Sequence, residues 1–289
     1  MLHRVYALAS ISFAVFTLSA PDAAAVAQRT FVASYGSPAN SAFNCSIANP
    51  CRAFSDAMSV TSVNGEVIVL DSAGYGAVTI TQSVSIIAPP GIYGGISVFS
   101  GTGITVNGSN IKVVLRGLTI NGQGGLSGIA FTQGAKLTIE DCEIANMPGT
   151  GILAHATNGI VTVKNTVIRD NGGYGVSAAS GPRVTVANSV LANNGLAGIF
   201  AGASAGFVTD VMVTRSIIDW SPVGLQVGAA AGGTARLVSD GNVINNATIG
   251  AFDFQGGAGM ELIYSSGNNT VGFNNAIVTG GALTLIGVH

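Results

Sequence analysis

Leu137–Leu153 reads LTIEDCEIANMPGTGIL, Val161–Ser177 reads VTVKNTVIRDNGGYGVS, and Val184–Phe200 reads VTVANSVLANNGLAGIF. The three stretches are one unit written three times. It runs aliphatic-Thr-aliphatic, a polar pair, two aliphatics, an Asn/Gly turn, then Gly-aliphatic. The closing glycines Gly128, Gly151, Gly175, Gly198, Gly224 and Gly250 are spaced by 23, 24, 23, 26 and 26 residues. Weaker copies flank the series, VTITQSVSII from Val78 and LIYSSGNNTVGF from Leu262. Each unit holds about three strands of three to five residues, broken by Gly, Asn and Asp turns, with no room for a helix. One such unit cannot bury its own aliphatic face, so units must stack. Three short strands per repeat predict an all-β, single-stranded right-handed parallel β-helix. A left-handed hexapeptide coil would need about 18 residues per turn instead. From Gly65 onward there is room for about nine turns, roughly 43 Å at the ~4.8 Å strand spacing.

Composition agrees with this reading. The 289 residues carry 11 Lys+Arg and 13 Asp+Glu, against 41 glycines and 48% apolar residues. Past residue 20 no run approaches the ~18–20 apolar residues of a spanning helix, so no membrane span is expected in the mature chain. The aliphatic content excludes disorder, and the missing Gly-X-Y period excludes collagen. A net charge of −2 with no run of Lys or Arg argues against nucleic acid as a partner. Low charge suits a coil whose outer positions carry Thr, Ser and Asn.

Stacking the units predicts side-chain columns. Arg116, Glu140 and Lys164 fall one turn apart, as alternating charges on neighbouring strands. Asp141, Asn165 and Asn188 form an adjacent column, and Asn146, Asp170 and Asn193 another, passing amide hydrogen bonds along the axis. Ile139, Val163 and Val186 should stack inward. Glu140, Asp141 and Glu143 are read as structural; calcium would need carboxylates converging on one point.

The chain divides at 1–27, 28–64 and 65–289. Residues 1–27 read as a signal peptide, with a basic start, an apolar run and small residues at Ala25 and Ala27. This predicts a secreted or periplasmic protein. Residues 28–64 read as a cap, with a first strand at Thr30–Ser34 and a helix at Pro50–Ser62, Asn49 being its N-cap. Cys45 and Cys51, six apart in an oxidising compartment, read as a disulfide. Zinc would require a second ligand pair, so no metal site is expected. Cys142 reads as a small buried hydrophobe.

Three motif matches are by-products of glycine. Gly149-x-Gly151-x-x-Ala154 and its copy from Gly173 match the dinucleotide fingerprint with no helix following. Gly202–Gly206 matches a serine hydrolase elbow, but a strand follows it. Gly172–Gly175 begins like a calcium roll, with Ser177 where the ligand Asp belongs.

The repeat, the exported start and the apolar cap resemble the pectin-lyase-like right-handed β-helix superfamily, in particular its small exported bacterial members of unassigned activity. The resemblance covers most of the mature chain and implies the fold. Its polysaccharide lyases and epimerases do chemistry on the strand that here follows each closing Gly, with side chains two and four places later facing outward. That row holds Ala130 and Thr132, Leu153 and His155, Ser177 and Ala179, Phe200 and Gly202, Gln226 and Gly228. It has neither a carboxylate pair nor an Arg, which elimination and hydrolysis require. The alginate epimerases carry Asp-Pro-His-Asp there. Gly151-Ile152-Leu153-Ala154-His155-Ala156 keeps only the His.

His155 is thus the single catalytic candidate, read as a solvent-facing bystander, and no catalytic set is assigned. Tyr174, Phe200 and Trp220 are candidates for stacking on sugar rings. The expected function is an exported, non-catalytic structural or glycan-contacting module, with an acidic polysaccharide or cell-surface glycan as partner and no cofactor. The alternative is a polysaccharide lyase or C5-epimerase with a degenerate site, and Ca²⁺ enters only under that reading. A third is an assembly subunit whose small apolar row packs on another chain.

Overall fold

The computed structural model describes residues 26–286; the expected signal peptide lies almost wholly outside them. Three parallel sheets wrap one core. Sheet A has eleven strands, sheets B and C nine each, and from Thr61 onward the chain visits them in the order A, B, C on each turn. The unit quoted above contributes Lys136–Glu140 to A, Glu143–Ala145 to B and Ile152–Ala154 to C. No described helix is long and apolar enough to cross a membrane.

The register is the expected one. Ile139 lies opposite Val163, and Val163 opposite Val186, all three fully buried. Alternate residues along each sheet A strand therefore point into one continuous aliphatic core. The closing glycines have a steric cause. At the corner before sheet C successive coils come so close that a Cβ on Gly151 would sit 2.7 Å from the carbonyl oxygen of Gly175, and one on Gly175 2.6 Å from that of Gly198.

The polar columns also have a backbone cause. Asp141, Asn165 and Asn188 turn the chain from A to B at φ 55°, 50° and 51°, and Asn146, Asp170 and Asn193 turn it from B to C at 61°, 56° and 51°. Asn and Asp tolerate this left-handed conformation better than other side chains. Asn165 Nδ2 donates to Asp141 Oδ1 at 3.2 Å, and Asn193 Nδ2 to Asp170 Oδ1 at 2.7 Å.

The continuous ladder lies one residue further on and is buried. The Thr166 N–H donates to Ser189 Oγ at 3.2 Å, Ser189 N–H to Ser216 Oγ at 3.2 Å, Ser216 N–H to Asn242 Oδ1 at 2.9 Å, and Asn242 N–H to Asn269 Oδ1 at 2.9 Å. A parallel ladder joins Met147, Asn171, Asn194 and Ser221. Each polar side chain supplies the acceptor that the preceding turn lacks. Cys142 heads the first ladder, and burial pushes its thiol up to about 12, so it is a packed hydrophobe.

The N-terminal end differs from expectation. The first strand is Ala27–Val32, and the helix, α1, covers only Phe54–Met58, capped at Ala53 with no side-chain bond. Asn49 and Pro50 do not start it, because Cys51 is extended: its N–H donates to Phe31 and its carbonyl accepts from Ala33. α1 seats Phe54 and Ala57 in the core. Cys45 and Cys51 are disulfide-bonded. Asp71 ties the cap to the coil, accepting from Ser34 N–H at 2.8 Å, from the Ser34 hydroxyl and from the buried Tyr75 hydroxyl.

Candidate functional site

On sheet C the outward row reads Thr105, Ala130, Leu153, Ser177, Phe200, Gln226, Asp253 and Thr279, each directly opposite the next. This face is not the open one expected. Ala130, Ser177 and Gln226 are buried, and Val223–Ala229 is buried along its whole length. The shading comes from neighbouring large side chains. Phe200 lies down along the sheet: a Cβ on Gly202 would meet its ring at 2.6 Å, and one on Gly228 at 3.2 Å. Two glycines thus make a bed for one ring. Tyr174, in the turn before its own sheet C strand, stacks on Phe200 with centroids 4.9 Å apart and planes 18° apart. A groove of about 370 Å³ runs beside them, lined by Ala179, Phe200, Gly202, Gly228, Gln255 and Glu261.

Two of the three expected aromatics therefore meet. Trp220 does not join them. It occupies the left-handed corner between B and C at φ 52°, in the column of Asp170 and Asn193, and is 64% exposed.

His155 is half-buried rather than solvent-facing. Its Nε2 lies 3.5 Å from Ser177 Oγ, a long hydrogen bond, and burial holds its pKa below the ordinary histidine value. The imidazole is therefore neutral at pH 7. The carboxylates nearest this face are occupied. Asp253 accepts from Gln226 Nε2 at 2.8 Å and from the Thr279 hydroxyl. Glu261 accepts from the backbone N–H groups of Ala229, Gly256 and Gly257 at 3.0, 3.0 and 2.7 Å, which makes it a loop clamp. Asp253 lies opposite Gln226, four coils along the row from Leu153 and hence roughly 19 Å away. Among the described residues, no group of three His, Cys, Asp or Glu side chains is placed to hold a metal ion.

The charge column on sheet A is in register as expected, but only half of it pairs. Arg116 Nη2 lies 2.6 Å from Glu140 Oε2, and Lys164, directly opposite Glu140, is not within ion-pair distance of it. Arg116 also reaches the same oxygen through Nε, which commits the carboxylate to one side. Next to it, Asn188 Oδ1 accepts from Arg215 rather than from Asn165.

Comparison with known proteins matches residues 58–218, more than half the chain, to the family described as "Right handed beta helix region". No curated protein matches the sequence. Among solved structures, the complex of XylC with xylose superposes with TM-score 0.64 at 11% identity, over 86% of this chain and 67% of that one. The pectate lyase Pel9A gives 0.53 at 14% identity, over 91% and 79%. An alginate lyase from a Paenibacillus species gives 0.54 at 14% identity, over 89% and 100%. At such identities the likeness is one of fold.

Proposed function

Since the chain belongs to the right-handed β-helix family, we propose that it is an exported, non-catalytic module that contacts glycans along the outer face of sheet C. The observation that carries this reading is the Tyr174–Phe200 stack beside a groove floored by Gly202 and Gly228. Flat rings at the edge of a shallow groove offer apolar faces to pyranose rings, and Ser204 and Gln255 offer polar atoms along the groove wall. Export accords with the Cys45–Cys51 disulfide.

The row supports binding better than turnover. Elimination from a uronate needs a base at the C5 proton and a counter-charge for the carboxylate; hydrolysis with inversion needs two carboxyl groups ~6.5–9.5 Å apart. His155 has Ser177 as its side-chain partner, and Asp253 and Glu261 are held by internal donors. The rival reading as a lyase or C5-epimerase rests on His155 alone, whose neutral imidazole could accept a proton.

Two measurements separate the readings. Titration with neutral and acidic oligosaccharides should show weak binding that falls several-fold in Phe200→Ala and Tyr174→Ala and is little changed in His155→Ala. Incubation with polyuronates, with and without Ca²⁺, should give no rise in absorbance from an unsaturated product. A rise that vanishes in His155→Ala would establish the enzyme instead.

A further inference from the structure

Folding gathers cations that the sequence disperses. Of the described Lys and Arg residues only Arg52, Arg169 and Arg215 lie off sheet A. Along one edge of its outer face Lys112, Lys136, Ile160, Arg183, Asp210 and Arg236 stand directly opposite one another in turn. Arg116 and Lys164 line the other edge, and Thr138, Thr162 and Thr185 run between the two.

The row has a cost that the fold does not explain. Lys112 and Lys136 are exposed and in register, ~4.8 Å apart, where like charges are destabilising. Among the described residues neither they nor Lys164 has an acid within ion-pair distance. In a chain with only 8% charged residues, such unpaired cations in one row have no structural return. The row ends in two adjoining clefts of about 370 and 460 Å³ that share Arg183, Asp210 and Arg236 as a wall. Arg236 holds Asp210 by two bonds of 2.6 and 2.9 Å, whereas Arg183 stands 3.9 Å from that carboxylate and is 75% exposed. Tyr264 lines the first cleft.

We propose that the outer face of sheet A is a docking surface for an acidic polysaccharide lying along the coil axis. Its carboxylates sit over Lys112, Lys136 and Arg183, its hydroxyls meet the threonine row, and a sugar at the end of the track enters the cleft beside Tyr264. This surface is separate from the sheet C groove and does not depend on it. Cations one coil apart flanking hydroxyls suit a charged sugar chain. The four sheet A strands Lys112–Arg116, Lys136–Glu140, Ile160–Lys164 and Arg183–Ala187 carry no aromatic residue on which a base could stack. It also lacks the broad apolar face that inserts into a bilayer.

The test titrates the full chain with polygalacturonate and alginate at low and physiological salt. Binding should weaken as salt rises, and Lys112→Glu/Lys136→Glu should lower affinity at least about tenfold. Lys112→Gln, which removes one partner of the repulsive pair without creating another, should unfold at a temperature no lower than that of the unaltered protein. Glu140→Lys, which adds a cation to the strip, should tighten binding a few-fold. The proposal is overturned if the double variant binds as well as the unaltered protein, if binding is lost in Phe200→Ala but kept in the double variant, or if single-stranded nucleic acid or anionic vesicles bind more tightly than the polysaccharides.

Discussion

Buried hydroxyls and exposed charges carry different weights at the scale of single residues. Ser189 is 2% exposed; its Oγ accepts from Thr166 N–H and donates to the Ala187 carbonyl. Ser189→Ala strands a buried N–H, so a loss of about 1–3 kcal/mol is expected in chemical denaturation. Glu140→Lys removes a half-exposed pair and sets three cations in a row, and should cost only about 1 kcal/mol or less, shrinking as salt rises. A loss from Glu140→Lys equal to that from Ser189→Ala would mean the carboxylate is more deeply committed than its exposure shows. His155 gives a pH signature. Burial depresses its folded pKa, so the folded state resists protonation, and stability falls as pH drops below the unfolded value of ~6.5. Thermal scans from pH 8 to 5 should show this slope in the unaltered protein and not in His155→Gln. The sequence made Ile139, Val163 and Val186 legible as core because aliphatic alternation has one meaning in a strand. It did not reveal which residue of Asp170-Asn171 or Asn193-Asn194 turns inward. That choice is made by the left-handed φ of the first residue, which rotates the second into the core.

Elements at the N-terminal end depend on ties that are distant in sequence. Pro50 after Asn49 looks like a helix start, yet Cys51 is drawn into pairing beside Phe31 and Val32, and α1 waits until Phe54. Local signals lost to tertiary pairing there. Reducing Cys45–Cys51 should lower the melting temperature by an amount corresponding to about 2 kcal/mol, with the strand signal in circular dichroism unchanged below the transition. The same end carries an acid-sensitive tie. Burial raises the Asp71 pKa, but hydrogen bonds from Ser34 and Tyr75, with Arg52 nearby, more than offset this and leave it below the ordinary carboxylate range. The tie is therefore fully present above the unfolded value of ~3.9 and lost as pH falls through the lower folded one. Hydrogen exchange at falling pH should show the strand Ala27–Val32 losing protection ahead of the middle coils, and Asp71→Asn should abolish that order.

Over the whole molecule, repeat spacing made the coil and the row of sheet C legible, but neither the covering of that row nor the cation row of sheet A. Sheet C looked open because a sequence shows which side chains point outward and not that Phe200 lies flat over Gly202 and Gly228. The cations of sheet A are scattered over more than a hundred positions, so only the coil's pitch brings Lys112, Lys136 and Arg183 onto one edge. The directly opposed columns have a further consequence. The paired strand positions of the middle coils each have a counterpart one coil on, so the molecule is a ruler with equal graduations, and one graduation can be removed. Excising residues 161–183 would join Ile160 to Val184 and bring Asn188 beneath Asp141 and Gly198 beneath Gly151, the same kinds of neighbour as before. Stability should fall by about one repeat's share with folding intact, and X-ray scattering should find the particle ~4.8 Å shorter at unchanged cross-section. Length in such a protein is then free to vary in whole steps, and with it the number of sugar residues the track can span.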